Sequence, residues 1–209
     1  MSESLDHLVV AASERIRIRR KHGRDALNDF RWRRDPEIAR YDAALPLAKT
    51  FSDFLDQFER DLVFGDPSRR MFALEEPGGA HIGNIMYYNG DRVSQTVEVG
   101  ICIALEEYRG AGLGTEAVVS FLRYLWEVHP FRLAYLHTLE WNVRARRCFE
   151  KAGFSPTARV LRQRQWLVRM EARREWWLMW DQEGRFDAHL APPTDGTESG
   201  SLATPGARN

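Results

Sequence analysis

The stretch Val97-Glu98-Val99-Gly100-Ile101-Cys102-Ile103, and after it Tyr108-Arg109-Gly110-Ala111-Gly112-Leu113-Gly114-Thr115-Glu116-Ala117, decides the reading of this chain. In the first part Val97, Val99, Ile101 and Ile103 alternate with Glu98, Gly100 and Cys102, a period of two that predicts a strand with one apolar face. The second part opens a helix whose apolar side is Ala117, Val118, Phe121, Leu122, Leu125 and Trp126, ended by His129-Pro130. Between them lie glycines, which let a backbone approach a ligand and take unusual φ values. A helix start adds unpaired N–H donors and the positive end of the dipole, a combination that suits a phosphate.

The loop is open to three other readings. A Walker A loop needs a lysine before the threonine, and Gly114-Thr115 has none. A dinucleotide fingerprint follows the first strand of a parallel unit, whereas this loop follows an antiparallel meander. A purely structural glycine turn remains open from the loop alone.

Outward from the loop, 71–75 and 80–88 read as strands joined by Pro77-Gly78-Gly79, and Asn89-Gly90-Asp91 as the next turn before the strand 95–103. Residues 15–19 read as an edge strand and 25–41 as helical, with Pro36 a break or the start of a second piece. Phe51, Phe54, Leu55, Phe58 and Leu62 mark an amphipathic helix that Ser52 or Thr50 caps. Residues 133–139 read as a strand, 143–151 as a helix stopped by Gly153, and 158–181 as two strands, the last holding Trp176, Trp177 and Trp180. The Arg/Glu spacing over 169–175 also suits a helical turn. This order gives an α/β (α+β) fold with a mixed, mostly antiparallel twisted sheet of about six to seven strands and helices on both faces. Residues 1–13 are expected as an N-terminal extension, 14–188 as one domain, and 189–209, rich in Pro, Gly, Ser and Thr, as a disordered tail.

Composition narrows the function. The 209 residues are 44% hydrophobic, enough for a packed core, and carry thirty basic and thirty acidic side chains. A neutral total makes a general nucleic-acid binder an unfavoured reading, although basic clusters stand at 15–24 and 159–174. No apolar run approaches the ~18 residues of a membrane span, and the N-terminus lacks the pattern of a secretory signal. A cytoplasmic protein is expected. Cys102 and Cys148 have neither redox nor zinc spacing, and no metal is expected.

With Arg109, Gly112 and Gly114 meeting a Gln/Arg-x-x-Gly-x-Gly/Ala pattern, and Asn142, Ala145, Phe149, Glu150, Gly153 and Phe154 following, the chain resembles the GCN5-related N-acetyltransferase (GNAT) superfamily over about 16–180. Glu98-Val99-Gly100, Thr115-Glu116-Ala117 and the segment 30–37 are similar to its ribosomal-protein-acetyltransferase-like (RimJ/RimL-like) branch. The resemblance implies acetyl-CoA as co-substrate and a sheet splayed between the fourth and fifth expected strands. Pantetheine would bond main-chain groups of Ile101, Cys102 and Ile103. Backbone N–H groups of Arg109, Gly110, Ala111, Gly112, Leu113, Gly114 and Thr115 would hold the pyrophosphate, and Asn142 would reach from the far wall. Phe149 stands where many members carry a tyrosine that protonates the leaving thiolate, which leaves the acid unassigned.

The implied activity is transfer of an acetyl group to a primary amine by direct attack. The acceptor would be a small molecule (polyamine, amino sugar, amino acid or antibiotic) or a protein N-terminus, and a homodimer is allowed. The reaction needs a base for the ammonium proton. Glu98 is the first candidate, His137 the lesser one, and Glu116 sits where the helix dipole favours a carboxylate regardless of catalysis. The alternative is an acyl-CoA-binding sensor without turnover.

Overall fold

A computed structural model describes residues 8–190. Eight strands form one sheet in the order β1-β2-β3-β4-β5-β6-β8-β7. They are β1 (Val9–Ala12), β2 (Arg17–Arg20), β3 (Arg70–Glu75), β4 (His81–Asp91), β5 (Thr96–Ile103), β6 (Leu133–Leu139), β7 (Ser155–Arg162) and β8 (Gln165–Arg173), with helices α1 (Ala26–Arg34), α2 (Pro36–Tyr41), α3 (Phe51–Phe64), α4 (Leu113–Val128), α5 (Val143–Lys151) and α6 (Arg174–Gln182). Every neighbouring pair is antiparallel except β5 with β6. The expected mixed, mostly antiparallel sheet is therefore present. It exceeds the expected strand number because β1 pairs with β2 at the edge. Of the two expected terminal segments, 1–7 and 191–209 lie outside the described residues.

The two sheet faces carry different helices. Apolar residues of α4 pack on one face, where Phe72 meets Phe121 and Tyr124 with ring centroids 5.5 and 5.6 Å apart. The core here includes Ile85, Val97, Val99, Leu122 and Leu125, all at most 2% exposed. On the other face α1 is held by buried charge. Arg19 bonds Asp25 (2.8 and 2.9 Å) and Glu75 (2.6 Å), while Lys21 bonds Asp29 at 2.8 Å and also Asn84. Buried pairs of this kind offset their own desolvation cost rather than add much stability, but they fix one orientation of α1.

Helix boundaries follow their caps. Asp35 accepts from the Glu37 and Ile38 N–H groups and Pro36 takes the first turn, so of its two expected roles it has that of starting a second helix. Thr50 caps α3 through the Asp53 N–H.

Two local expectations are corrected. Asn89-Gly90-Asp91 is not the hairpin turn. Asn89 takes φ 52°, the register shifts between Tyr88 and Asp91, and the turn moves to 92–95. That bulge aims Asn89 at Glu98, as described below. Trp176 to Trp180 lie in α6 rather than in a strand, because β8 ends at Arg173, opposite the first residue of β6. Trp177 is fully buried there and donates its indole N–H to the Ala152 carbonyl at 2.8 Å. Gly153, at φ 92°, lies under this ring, and a Cβ there would sit 2.8 Å from it. The α5 stop and the α6 anchor thus depend on one glycine.

Candidate active site

Strands β5 and β6 pair only at Thr96↔Leu133, Val97↔Ala134 and Glu98↔Tyr135, although β5 runs on to Ile103 and β6 to Leu139. Past that point they part, as expected, and a cleft of about 800 Å³ opens, with Gly100 to Ile103 on one wall and Leu136 to Leu139 on the other. Helix α2 straps across it. Glu37 lies 3.6 Å from Arg109 on one side, and Tyr41 and Arg40 lie 5.4 and 5.0 Å from the Trp141 ring on the other.

The glycine loop forms one end of the cleft. Gly110 and Gly112 take φ 88° and 84°, left-handed values that other residues adopt only with strain. Of the expected donors, the Arg109 N–H bonds the Glu106 carbonyl and the Thr115 N–H the Gly112 carbonyl, at 2.9 and 3.0 Å. The N–H groups of Gly110, Ala111, Gly112, Leu113 and Gly114 donate to no backbone carbonyl among the described residues, and these five are the ones left for a phosphate. The Arg109 side chain is committed elsewhere, donating to the Ile103 and Ala104 carbonyls at 3.0 and 2.7 Å, so it braces the loop against β5. Arg147 and Lys151, one helical turn apart on α5, line the same cleft and add positive charge.

Glu116 proves to be a structural anchor. It is fully buried and accepts from Ser13 Oγ (2.6 Å), Arg15 N–H (3.2 Å) and Arg15 Nε (2.8 Å). Arg15 also donates to the Ala111 carbonyl at 3.0 Å. The chain before β2 is thereby tied to the loop, a role that no local pattern around Arg15 signalled.

At the point where the strands part, the two candidate bases meet. His137 Nδ1–H donates to Glu98 Oε1 at 2.7 Å, and Asn89 Nδ2 donates to Glu98 Oε2 at 2.9 Å. The Glu98 and His137 side chains are each 6% exposed, and His137 is the one that lines the cleft. Burial and the nearby Glu98 charge push the Tyr88 and Tyr135 phenols above their usual range, so both stay neutral. With Nδ1–H committed to Glu98, His137 Nε2 carries the lone pair; the exposed Arg162 guanidinium lies 3.5 Å from it.

Asn142 caps α5, its Oδ1 accepting from the Ala145 N–H at 3.1 Å, and it lines the cleft. Phe149 is 6% exposed, packs on Phe154 with centroids 5.9 Å apart, and also lines the cleft. Cys102 lines it too, but burial and the nearby Asp42 push its thiol up to about 12. Burial likewise raises Cys148. Neither is a thiolate nucleophile near neutral pH.

Asp42, absent from the expected residues, ends α2 and lines the cleft. Its side chain is exposed across the cavity, while the protein packed around it disfavours the charge and raises its carboxyl to about 6, with Arg33 opposing the shift. Among the described residues no three His, Cys, Asp or Glu side chains converge as a metal-binding group, and no helix is long and apolar enough to cross a membrane.

Comparison with known proteins places this geometry. The family model described as the acetyltransferase (GNAT) domain matches residues 15–155. No curated protein matches the chain in sequence. Among solved structures, the chain is similar to spermidine N-acetyltransferase from Vibrio cholerae in complex with CoA and spermine, with TM-score 0.72, 19% identity, and coverage of 78% of this chain and 98% of that one. It is also similar to aminoglycoside acetyltransferase AAC(6′)-Ib in complex with coenzyme A, with TM-score 0.66, 21% identity and coverage of 78% and 98%. At such identities the likeness shows the fold.

Proposed function

The chain belongs to the GNAT acetyltransferase family, and from that premise we propose that it moves an acetyl group from acetyl-CoA to a primary amine by direct attack in a ternary complex. His137 acts as the base and Glu98 orients it. The observation that carries this reading is the buried Glu98–His137 pair at the point where β5 and β6 part.

An alkylamine is mostly protonated at pH 7 and must lose a proton to become a nucleophile. A neutral imidazole that donates Nδ1–H to a carboxylate keeps Nε2 as the acceptor. The carboxylate also stabilises the imidazolium that forms. Glu98 has that place, and Asn89 occupies its second oxygen. Bound acetyl-CoA supplies an activated thioester. The free N–H groups of 110–114 suit its pyrophosphate, and the unpaired edge of Ile101, Cys102 and Ile103 suits its pantetheine. The glycine cradle supports that fit, since Gly112 needs a left-handed φ and its Cβ position faces Arg15 Nη2 at 3.7 Å. Direct transfer is supported by the neutral state of Cys102 and Cys148, because an acyl-enzyme route needs a thiolate. Phe149 has no proton to give, so the departing thiolate takes its proton from water or from the protonated nitrogen of the tetrahedral intermediate.

The similar structures bear the names of spermidine and aminoglycoside acetyltransferases. Polyamines and amino sugars therefore lead the acceptor classes. The test is free-thiol release from acetyl-CoA with a panel of primary amines that also includes amino acids and peptide N-termini.

A further inference from the structure

We propose that Asp42 is the specificity-determining residue for the acceptor, seating a second, cationic nitrogen so that diamines are preferred over monoamines. This rests on the transferase reading above and extends it to the acceptor's chemistry.

Two cavities meet at Asp42. A second one, of about 870 Å³, lies between α1–α3 and strands β3 and β4. Ile38, Asp42, Met86, Tyr88 and Cys102 line both it and the cleft. The junction is therefore apolar or neutral apart from one carboxylate. Of the other acids of the second cavity, Asp29 is buried and binds Lys21 and Asn84 through Oδ1, with Oδ2 unpartnered, and Asp61 and Asp66 pair with Arg69. Among the described residues Asp42 has no hydrogen-bond or ion-pair partner, and Arg33 acts on it only at longer range.

A carboxylate that is exposed at the junction and has no partner in the protein is open to a cation that arrives with a ligand, through a charge-assisted hydrogen bond. Its position is held firmly, since Asp42 ends the strap that touches both walls of the cleft. The spacing suits a chain with two nitrogens. Glu98, with His137, and Cys102, whose thiol senses Asp42, lie four residues apart on β5. At ~3.3 Å per residue that is roughly 13 Å along the strand, which sets the scale of the diamine lengths to test.

The experiment uses the full chain loaded with coenzyme A, α,ω-diamines of graded length and monoamines of matched length. Calorimetry reads affinity, and thiol release from acetyl-CoA reads kcat/KM. In the wild type the best diamine should exceed its matched monoamine by at least about tenfold, the lower end for a charge-assisted hydrogen bond. Asp42→Asn should bring that ratio close to one in a protein that melts as the wild type does, and Asp42→Glu should restore part of it. A wild-type ratio near one, or an unchanged ratio in Asp42→Asn, overturns the proposal. Asp42-dependent diamine binding without acetyl transfer to any amine would uphold the seat and reject the transferase reading. Acetyl transfer without diamine preference would do the reverse.

Discussion

His137 and Glu98, 39 residues apart in sequence, are joined by a 2.7 Å hydrogen bond at the last paired position of β5 and β6. Two groups that act as a unit are non-additive. His137→Ala should lower kcat by ~10² to 10⁴-fold, the usual worth of a positioned base, with the acetyl-CoA dissociation constant nearly unchanged. Glu98→Gln should cost less, and the double variant should be no slower than about His137→Ala alone. Fully multiplicative losses in steady-state kinetics would show that the two groups act separately.

Gly112 carries a second expectation. Its φ of 84° and the free N–H groups around it make it the most sensitive point of the donor loop. Gly112→Val forces a branched residue into left-handed backbone, at a cost of roughly 1–2 kcal/mol, and crowds the approach to the N–H groups. Calorimetry should show acetyl-CoA affinity reduced by more than about tenfold in a protein that still melts cooperatively, a loss of at least ~1.4 kcal/mol. Unchanged affinity would remove the loop from the phosphate site.

Asp42 ties acceptor affinity to pH. Its carboxyl titrates at about 6 in the free protein and must be ionised to hold an ammonium. Of the groups facing it, Arg33 on α1 is a fixed cation, while Tyr88 on β4 and Cys102 on β5 are pushed up and stay neutral below pH 8. Diamine affinity should therefore fall as pH drops through about 6, with monoamine affinity much less affected. Parallel calorimetric profiles for the two ligands would contradict this.

Asp25 governs acid stability. Burial alone would raise its carboxyl, but the Arg19 guanidinium and the His22 N–H bring it from 3.8 down to about 2. A depressed folded value contributes stability above the unfolded value and loses it as pH falls toward the folded one. The window is thus about pH 4 to 2, and the contribution is about 2 kcal/mol. Asp25→Asn should cost about 3 to 5 kcal/mol near pH 7, since it also leaves Arg19 underpaired, and the gap should narrow through that window. Urea unfolding across pH checks it, and a gap constant with pH would show that the charge is immaterial.

Local features were legible in the sequence because they arise from local physics. The glycine loop, the start of α4, the α2 break at Pro36 and the alternation of β5 all follow from neighbours within a few residues. The bulge at Asn89 escaped because Asn-Gly-Asp carries the chemistry of a turn as readily as that of a left-handed bulge. Trp176 to Trp180 escaped because a short aromatic run has no decisive period, and only the end of the β6–β8 ladder stops the strand. The Glu98–His137 bond depends on a parallel register between distant segments, which no spacing encodes. Asp42 has no motif at all, since its character comes from the junction of two cavities, lined there by α2, β4 and β5.

The most direct test is amine-dependent thiol release from acetyl-CoA by the purified chain, with the acetylated amine identified by mass spectrometry. Release that rises with amine concentration, matches the acetylated product one for one, and collapses in His137→Ala is the expected result. Tight acetyl-CoA binding with no thiol release above hydrolysis for any amine would contradict it, and would make the chain an acyl-CoA-binding protein instead of a transferase.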